Sequence, residues 1–157
     1  MHEELHLYRK YINEIDKIAG FPKDTNENID NQALSFLLNP DYQWITIFEK
    51  GKKIGFLIIG IDEHHPSCDY FIAQAYILPE YRNQGRMTQT FKEFEKTHSG
   101  KYSYFVIHNN HIAIKFWENL FEALGYEKFN IPELKGTFDK EVCAQVAYEP
   151  KLDVLEE

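Results

Sequence analysis

The chain reads as an α+β, or mixed α/β, fold on three observations. Helix-period and strand-period segments interleave as two helices, three strands, a helix, a strand, a helix and two strands, which suits one sheet covered by helices. Of the 157 residues, 43% are hydrophobic, enough apolar surface for one substantial core. No repeat, linker or low-complexity tract divides the sequence, so 1–157 is expected to be a single domain.

Taken in order, residues 3–19 place Leu5, Tyr8, Ile12, Ile15 and Ala19 at helical spacing, and Gly20 and Pro22 stop that helix. Residues 21–28 are polar and read as a loop. Asp30 is the expected N-cap of a short second helix through Leu38, ended by Asn39-Pro40. Residues 44–48 are β-like, Glu49-Lys50-Gly51-Lys52 is a hairpin turn, and 54–61 return as an apolar strand buried on both faces. Residues 62–69 form a polar connection, and 70–78 the next strand. A helix over 87–98 carries Met87, Phe91 and Phe94 on one side and ends at Ser99-Gly100. A β-branched and aromatic strand follows over 101–107. His108-Asn109-Asn110 caps a long helix whose Ile112, Phe116, Leu120 and Leu124 form its expected core stripe. Gly125 stops it, and strands are expected near 126–129 and 142–148.

One junction carries chemistry. The β-like run through Tyr76 ends at Pro79, a short loop with Gly85 follows, and a helical pattern opens at about Met87. The first-turn amides of a helix have no carbonyl partners, and the helix dipole favours an anion there. Arg82 and Arg86 add two cations suited to phosphate oxygens. The junction therefore points to a ligand bearing a pyrophosphate.

Ile77-Leu78-Pro79-Glu80-Tyr81-Arg82-Asn83-Gln84-Gly85 closely resembles the acyl-CoA-binding motif of the GNAT acyltransferase superfamily, hydrophobic-x-Pro-x-Tyr-Arg-x-x-Gly-x-Gly/Ala. Downstream, Asn110-x-x-Ala113-Ile114-x-Phe116-Trp117 with Leu124-Gly125-Tyr126 resembles that family's Asn-x-x-Ala-x-x-x-Tyr…Leu-Gly-Phe helix. The Met87-Thr88 pair is similar to the branch that acetylates ribosomal-protein N-termini. The resemblance covers about the central third of the chain. It implies a mostly antiparallel sheet with splayed central strands and helices on both faces. It also implies acetyl-CoA as co-substrate and a primary amine, on a small molecule or a peptide, as acceptor.

It further implies which residues meet the cofactor. Amides from Asn83 through Gln84, Gly85, Arg86 and Met87 to Thr88 would cradle the diphosphate. Gly85 allows close approach. Arg82 would either contact a phosphate or brace the loop. The pantetheine arm would pair with the strand at Tyr76, Ile77 and Leu78, where an amide near Ile77 or Leu78 would polarise the thioester carbonyl. Asn110 would contact the arm, cap its helix, or do both. Tyr76 and Gln74 would line the acceptor pocket or simply pack. Met87 stands where the family has Gly or Ala, and is expected to turn into the core beside Phe91.

The usual acid/base pair is missing. Counted from Asn110, the carboxylate and tyrosine positions hold Phe105 and Trp117; counted from Gly125, the tyrosine position holds Phe121. His108, at the end of the flanking strand, is the alternative base, its plainer role being a polar cap. A non-catalytic acyl-CoA-binding regulatory module is the rival reading.

The net charge of −8 argues against nucleic acid and favours either a cationic amine or plain solubility. Without a span-length apolar run or a signal-like N-terminus, the expectation is a cytoplasmic protein away from membranes. Cys68 and Cys143 read as free thiols. His64-His65 with Cys68 and Asp69 matches no standard zinc spacing, so no metal is expected. A homodimer is the assembly that GNAT proteins often form.

Overall fold

The computed structural model describes residues 2–61, 67–131 and 139–152. The order is α1 (His2–Ala19), α2 (Asn26–Leu38), β1 (Tyr42–Glu49), β2 (Lys52–Gly60), β3 (Tyr70–Ile77), a 3-10 turn (Pro79–Tyr81), α3 (Arg86–Thr97), β4 (Tyr102–Ile107), α4 (His111–Ala123), β5 (Tyr126–Lys128) and β6 (Cys143–Pro150). The strands form one sheet in the order β1-β2-β3-β4-β6-β5. Every neighbouring pair is antiparallel except β3 and β4, which α3 connects as a crossover. This is the mixed, mostly antiparallel fold expected.

Two apolar layers sandwich the sheet, and β2 separates them by alternation. Ile54, Phe56 and Ile58 face Tyr8 of α1 and Ile29 and Ala33 of α2. Leu57 and Ile59 face Phe91 of α3 and Trp117, Leu120 and Phe121 of α4. With both faces covered, the continuous apolar run of β2 is accounted for. The hairpin before it turns through Lys50 and Gly51, whose φ values of 49° and 81° are both left-handed, as a tight two-residue turn requires.

The central strands part. β3 and β4 pair only over Tyr70–Ile72 against Tyr102–Tyr104. Beyond that, β3 stays with β2 while β4 stays with β6 through Ile107. The β2–β3 register shifts between Ile58 and Ile59, leaving Ala73 as an extra residue between Ile72 and Gln74. Such a bulge bends its strand and sharpens the twist, and it lies where the two strands separate.

Three local expectations are corrected. Thr25, not Asp30, caps α2, its hydroxyl accepting from the Asn28 amide at 3.2 Å; Asp30 is drawn instead into an ion pair with Arg9 of α1. Ile112 is 85% exposed and not core, whereas Trp117, Leu120 and Phe121 are buried. A stripe of every fourth residue advances about 40° per step on a helix of 3.6 residues per turn, so over three steps it leaves the buried face. Strand β3 ends at Ile77, not Leu78. The His64-His65 pair lies outside the described residues.

Candidate active site

The loop after β3 is shaped by two left-handed residues, Asn83 at φ 62° and Gly85 at φ 75°. Asparagine tolerates that region, and glycine enters it without a Cβ penalty. Gly85 is the N-cap of α3, and the carbonyl of Gly85 accepts from Gln89 N at 2.9 Å, the first helical bond. The amides of Arg86, Met87 and Thr88 therefore have no carbonyl ahead of them in the helix. Among the described residues no side chain caps this end.

These residues line one end of a cleft of about 570 Å³ whose walls include Ala75, Ile77, Gly85, Thr88, Asn110 and Trp117. A narrower cavity of about 240 Å³, between the parted β3 and β4, shares Tyr11, Ile15, Ala75, Asn110, Ala113 and Trp117 with it. The space thus runs from the start of α3 along β3 into the gap in the sheet.

Ladder parity fixes which main-chain groups face that gap. The Leu78 amide donates to Ile54 O at 2.9 Å. In an antiparallel pair the positions bonded to the neighbour alternate, so Tyr76 and Leu78 point towards β2. Ala75 and Ile77 point their amides and carbonyls the other way, into the gap. Leu78 is thereby removed as a main-chain donor to the slot: its amide is committed, and its side chain is buried among the α1 and α2 layer.

Arg82 braces the loop. Its Nε donates to Ile77 O at 2.8 Å, and its terminal nitrogen donates to both carboxylate oxygens of Glu14 on α1, at 3.1 and 2.8 Å. The guanidinium also lies 5.4 Å from the centre of the Tyr76 ring. Tyr76 packs edge-on to Phe56 and Tyr11; burial, then the charge of Glu14, pushes its phenol above the ordinary value. Arg86 is turned to Glu49 of β1 and also donates to Gln84 Oε1 at 3.2 Å. Gln84 itself is exposed. Met87 packs against both apolar layers, the core role expected of it.

Asn110 caps α4, its Oδ1 accepting from the Ala113 amide at 3.2 Å, and it lines both cavities. Trp117 and Phe105 border the gap, where neither can exchange protons. His108 is not brought to that gap. Its Nε2 lies 2.8 Å from Lys140 O, and the residue lines a separate recess beside β6 with Asn130 and Gln145. Among the described residues no cluster of three potential metal ligands occurs.

The structure adds residues that the sequence pattern left out. Tyr11 and Glu14 of α1 both line the cleft, and the Tyr11 hydroxyl donates to Gln74 Oε1 on β3. Tyr8, Tyr11 and Ile15 follow i, i+3, i+7 spacing, so the helical face could have been read to include Tyr11. Nothing local announced that this face would meet β3.

Fold and site together define a mixed α/β protein whose parted central strands lead to a helix start open to anions. The acetyltransferase (GNAT) family profile matches residues 6–122, and the chain belongs to that family. Among solved structures it is similar to an acetyltransferase from Thermus thermophilus (TM-score 0.66, 15% identity, covering 92% of this chain and 90% of that one). It is also similar to the PaiA N-acetyltransferase of Thermoplasma acidophilum in complex with coenzyme A (TM-score 0.59, 14% identity, covering 94% and 90%). A third similar structure is the ribosomal-protein-S18-alanine N-acetyltransferase of Escherichia coli (TM-score 0.51, 17% identity, covering 90% and 84%). At these identities the likeness is one of fold. No curated protein sequence matches the chain.

Proposed function

We propose that the protein transfers an acetyl group from acetyl-CoA to a primary amine by direct attack. The observation that carries this is the parting of β3 from β4 beside the uncapped start of α3. The residues present suit the cofactor: left-handed Asn83 and Gly85 open the loop, and, chain neighbours aside, no atom of the described residues lies within 4 Å of where a Gly85 Cβ would stand. The PaiA relative, with coenzyme A in its structure, supports the same reading.

Acetyl-CoA, when bound, supplies a thioester carbonyl open to attack by an amine. The chain's own groups then take these roles. Amides of Arg86, Met87 and Thr88, with the main chain of Asn83, Gln84 and Gly85, hold the diphosphate. Ala75 and Ile77 present main-chain groups to the arm, and the Ile77 amide is the oxyanion donor. Tyr76 and Arg82 shape the wall, and Asn110 offers its side-chain amide nitrogen to the arm while capping α4. With His108 facing Lys140, no protein base is assigned. An alkylamine with a pKa of about 10.4 loses its proton to water at the open acceptor end.

The acceptor is a small molecule or a peptide. The acidic balance argues against nucleic acid as a partner, and no helix among the described residues is long and apolar enough to cross a membrane. A cytoplasmic single-domain unit over 1–157 completes the reading, and a homodimer is the assembly to check by light scattering.

A thermal-shift series with CoA, acetyl-CoA and longer acyl-CoAs, followed by CoA-thiol release across an amine panel, tests the proposal. Stabilisation with turnover is expected. Stabilisation without turnover on any amine would favour the non-catalytic module, and no stabilisation would end both readings.

A further inference from the structure

The slot holds a phenol where the usual one is missing. Tyr11 comes from α1, on the opposite face of the sheet from α4, yet it lines both the cofactor cleft and the gap between β3 and β4. It belongs to a chain of four polar groups. The Tyr11 hydroxyl donates to Gln74 Oε1. The Gln74 amide also hydrogen-bonds the hydroxyl of Tyr8, which donates to Gln32 Oε1 at 2.6 Å. Tyr8 is fully buried, whereas Gln32 is exposed on α2.

We propose, resting on the acetyltransferase reading above, that Tyr11 is the hydrogen-bond donor to the departing thiolate, aimed by the chain Gln74–Tyr8–Gln32. In the arrangement just described, the O–H groups point away from the slot. Each glutamine carries both a donor and an acceptor. If the exposed Gln32 amide and the Gln74 amide both turn over, Gln32 Nε2 donates to Tyr8, Tyr8 donates to Gln74 Oε1, and Gln74 Nε2 donates to the Tyr11 oxygen. The Tyr11 O–H is then free for the slot. Two amides in the path stop it from passing protons, so the chain sets direction only.

The step balances without a proton from the phenol. The amine nitrogen bonds the acetyl carbon as the C–S bond breaks, the sulfur leaves as a thiolate, and the surplus amine proton goes to water. Burial, then the charge of Glu14, pushes the Tyr11 phenol above the ordinary range. A thiol titrates near about 8.5. Tyr11 therefore keeps its proton and stabilises the thiolate by hydrogen bonding alone. The rival phenol, Tyr104, also borders the gap, but it is stacked against Phe121 and Tyr148 on the α4 side and its hydroxyl is hydrogen-bonded to Tyr148.

The test measures the thiol of CoA bound to the full chain, by thiolate absorbance in the ultraviolet between about pH 6 and 10. Wild type is expected to lower the bound thiol pKa by about one unit or more, and Tyr11→Phe to lose most of that shift. A hydrogen bond to a charged group is worth about 1.5–3 kcal/mol, so kcat should fall about 10- to 150-fold in Tyr11→Phe while KM for acetyl-CoA moves less than about threefold. Arg82 and Glu14 are present in both proteins, so the difference isolates the hydroxyl. Should Tyr11→Phe fold poorly, Gln74→Leu breaks the same chain and is expected to lose at least about half of the thiol shift. Equal thiol pKa values and equal kcat in wild type and variant would overturn this inference while leaving the acetyltransferase reading intact. Failure to bind CoA at all would overturn both.

Discussion

Arg82 ties the end of a strand to the loop that follows it: its Nε donates to the Ile77 carbonyl at 2.8 Å, on the side of β3 that has lost its neighbour. Where β4 departs, that carbonyl would otherwise face the cleft unpaired. The other arm of the guanidinium holds Glu14 of α1. One cation thus secures three walls of the cleft, with its Nε and one terminal nitrogen spent on protein.

Arg82→Ala is therefore expected to weaken CoA through loop geometry. The guanidinium is partly exposed, so the lower end of the range for charge-assisted bonds applies, about 1–2 kcal/mol, or about 5- to 30-fold in Kd. Arg82→Lys should recover little, because an ammonium cannot span Ile77 O and Glu14 in one plane. Calorimetric titration with CoA checks both; wild-type affinity in Arg82→Ala would refute the brace.

Gly85 and Gly51 separate strain from binding. Both have positive φ, 75° and 81°, and both have open space where a Cβ would stand. Each change to alanine should cost about 1 kcal/mol in urea unfolding. Only Gly85→Ala should also weaken CoA, and Gly85→Glu should abolish its binding by setting a carboxylate at the anion site. Equal CoA affinity in Gly85→Glu and wild type would remove the loop from the site.

Gly55 lies where the β2 backbone comes close to β3. A Cβ there would stand 2.2 Å from Tyr76 O and 3.1 Å from Ile77 Cα. Because the obstacle is main chain, Gly55→Ala must displace β3 and cost about 1–3 kcal/mol or more. Chemical denaturation measures the loss, and a neutral variant would contradict the register.

Glu4 on α1 accepts from Lys53 of β2 at 2.7 Å. Burial alone would raise its pKa, but hydrogen bonds, with the one from Lys53 the largest, then those from the chain's amino group and the Glu4 backbone, and last the Lys53 charge, win and hold it at about 2, against an ordinary value of 4.5. A carboxyl held low in the folded state stabilises above the unfolded pKa, and that contribution fades as pH falls from about 4.5 towards 2. Lys53→Met should be less stable near neutral pH and lose less on acidification over that window. Urea unfolding at several pH values checks the slope; parallel curves would show the pair to be inert.

How much could be read without coordinates differs from element to element. The loop from Pro79 to Gly85 is legible because its meaning is local: a breaker, a residue free to take positive φ, and the amides of the next helical turn. The apolar run of β2 and the Lys50-Gly51 hairpin are legible for the same reason. The cap of α2 is ambiguous in sequence because Thr25 and Asp30 are both good caps, and Arg9, 21 residues from Asp30, chooses between them. A stripe through Ile112 misleads on α4 because a repeat of four resembles a helical face over one step and drifts from it over three.

The residues in their order point to an open helix start after Gly85, the place proposed for the diphosphate, since neighbouring amides and backbone angles suffice for that. Packing alone could bring Tyr11 to Gln74, 63 residues away, and Glu14 to Arg82, 68 away. Such partners are chosen by which helix face covers which strand, an arrangement set by the combined burial of two apolar layers and carried by no short stretch of chain.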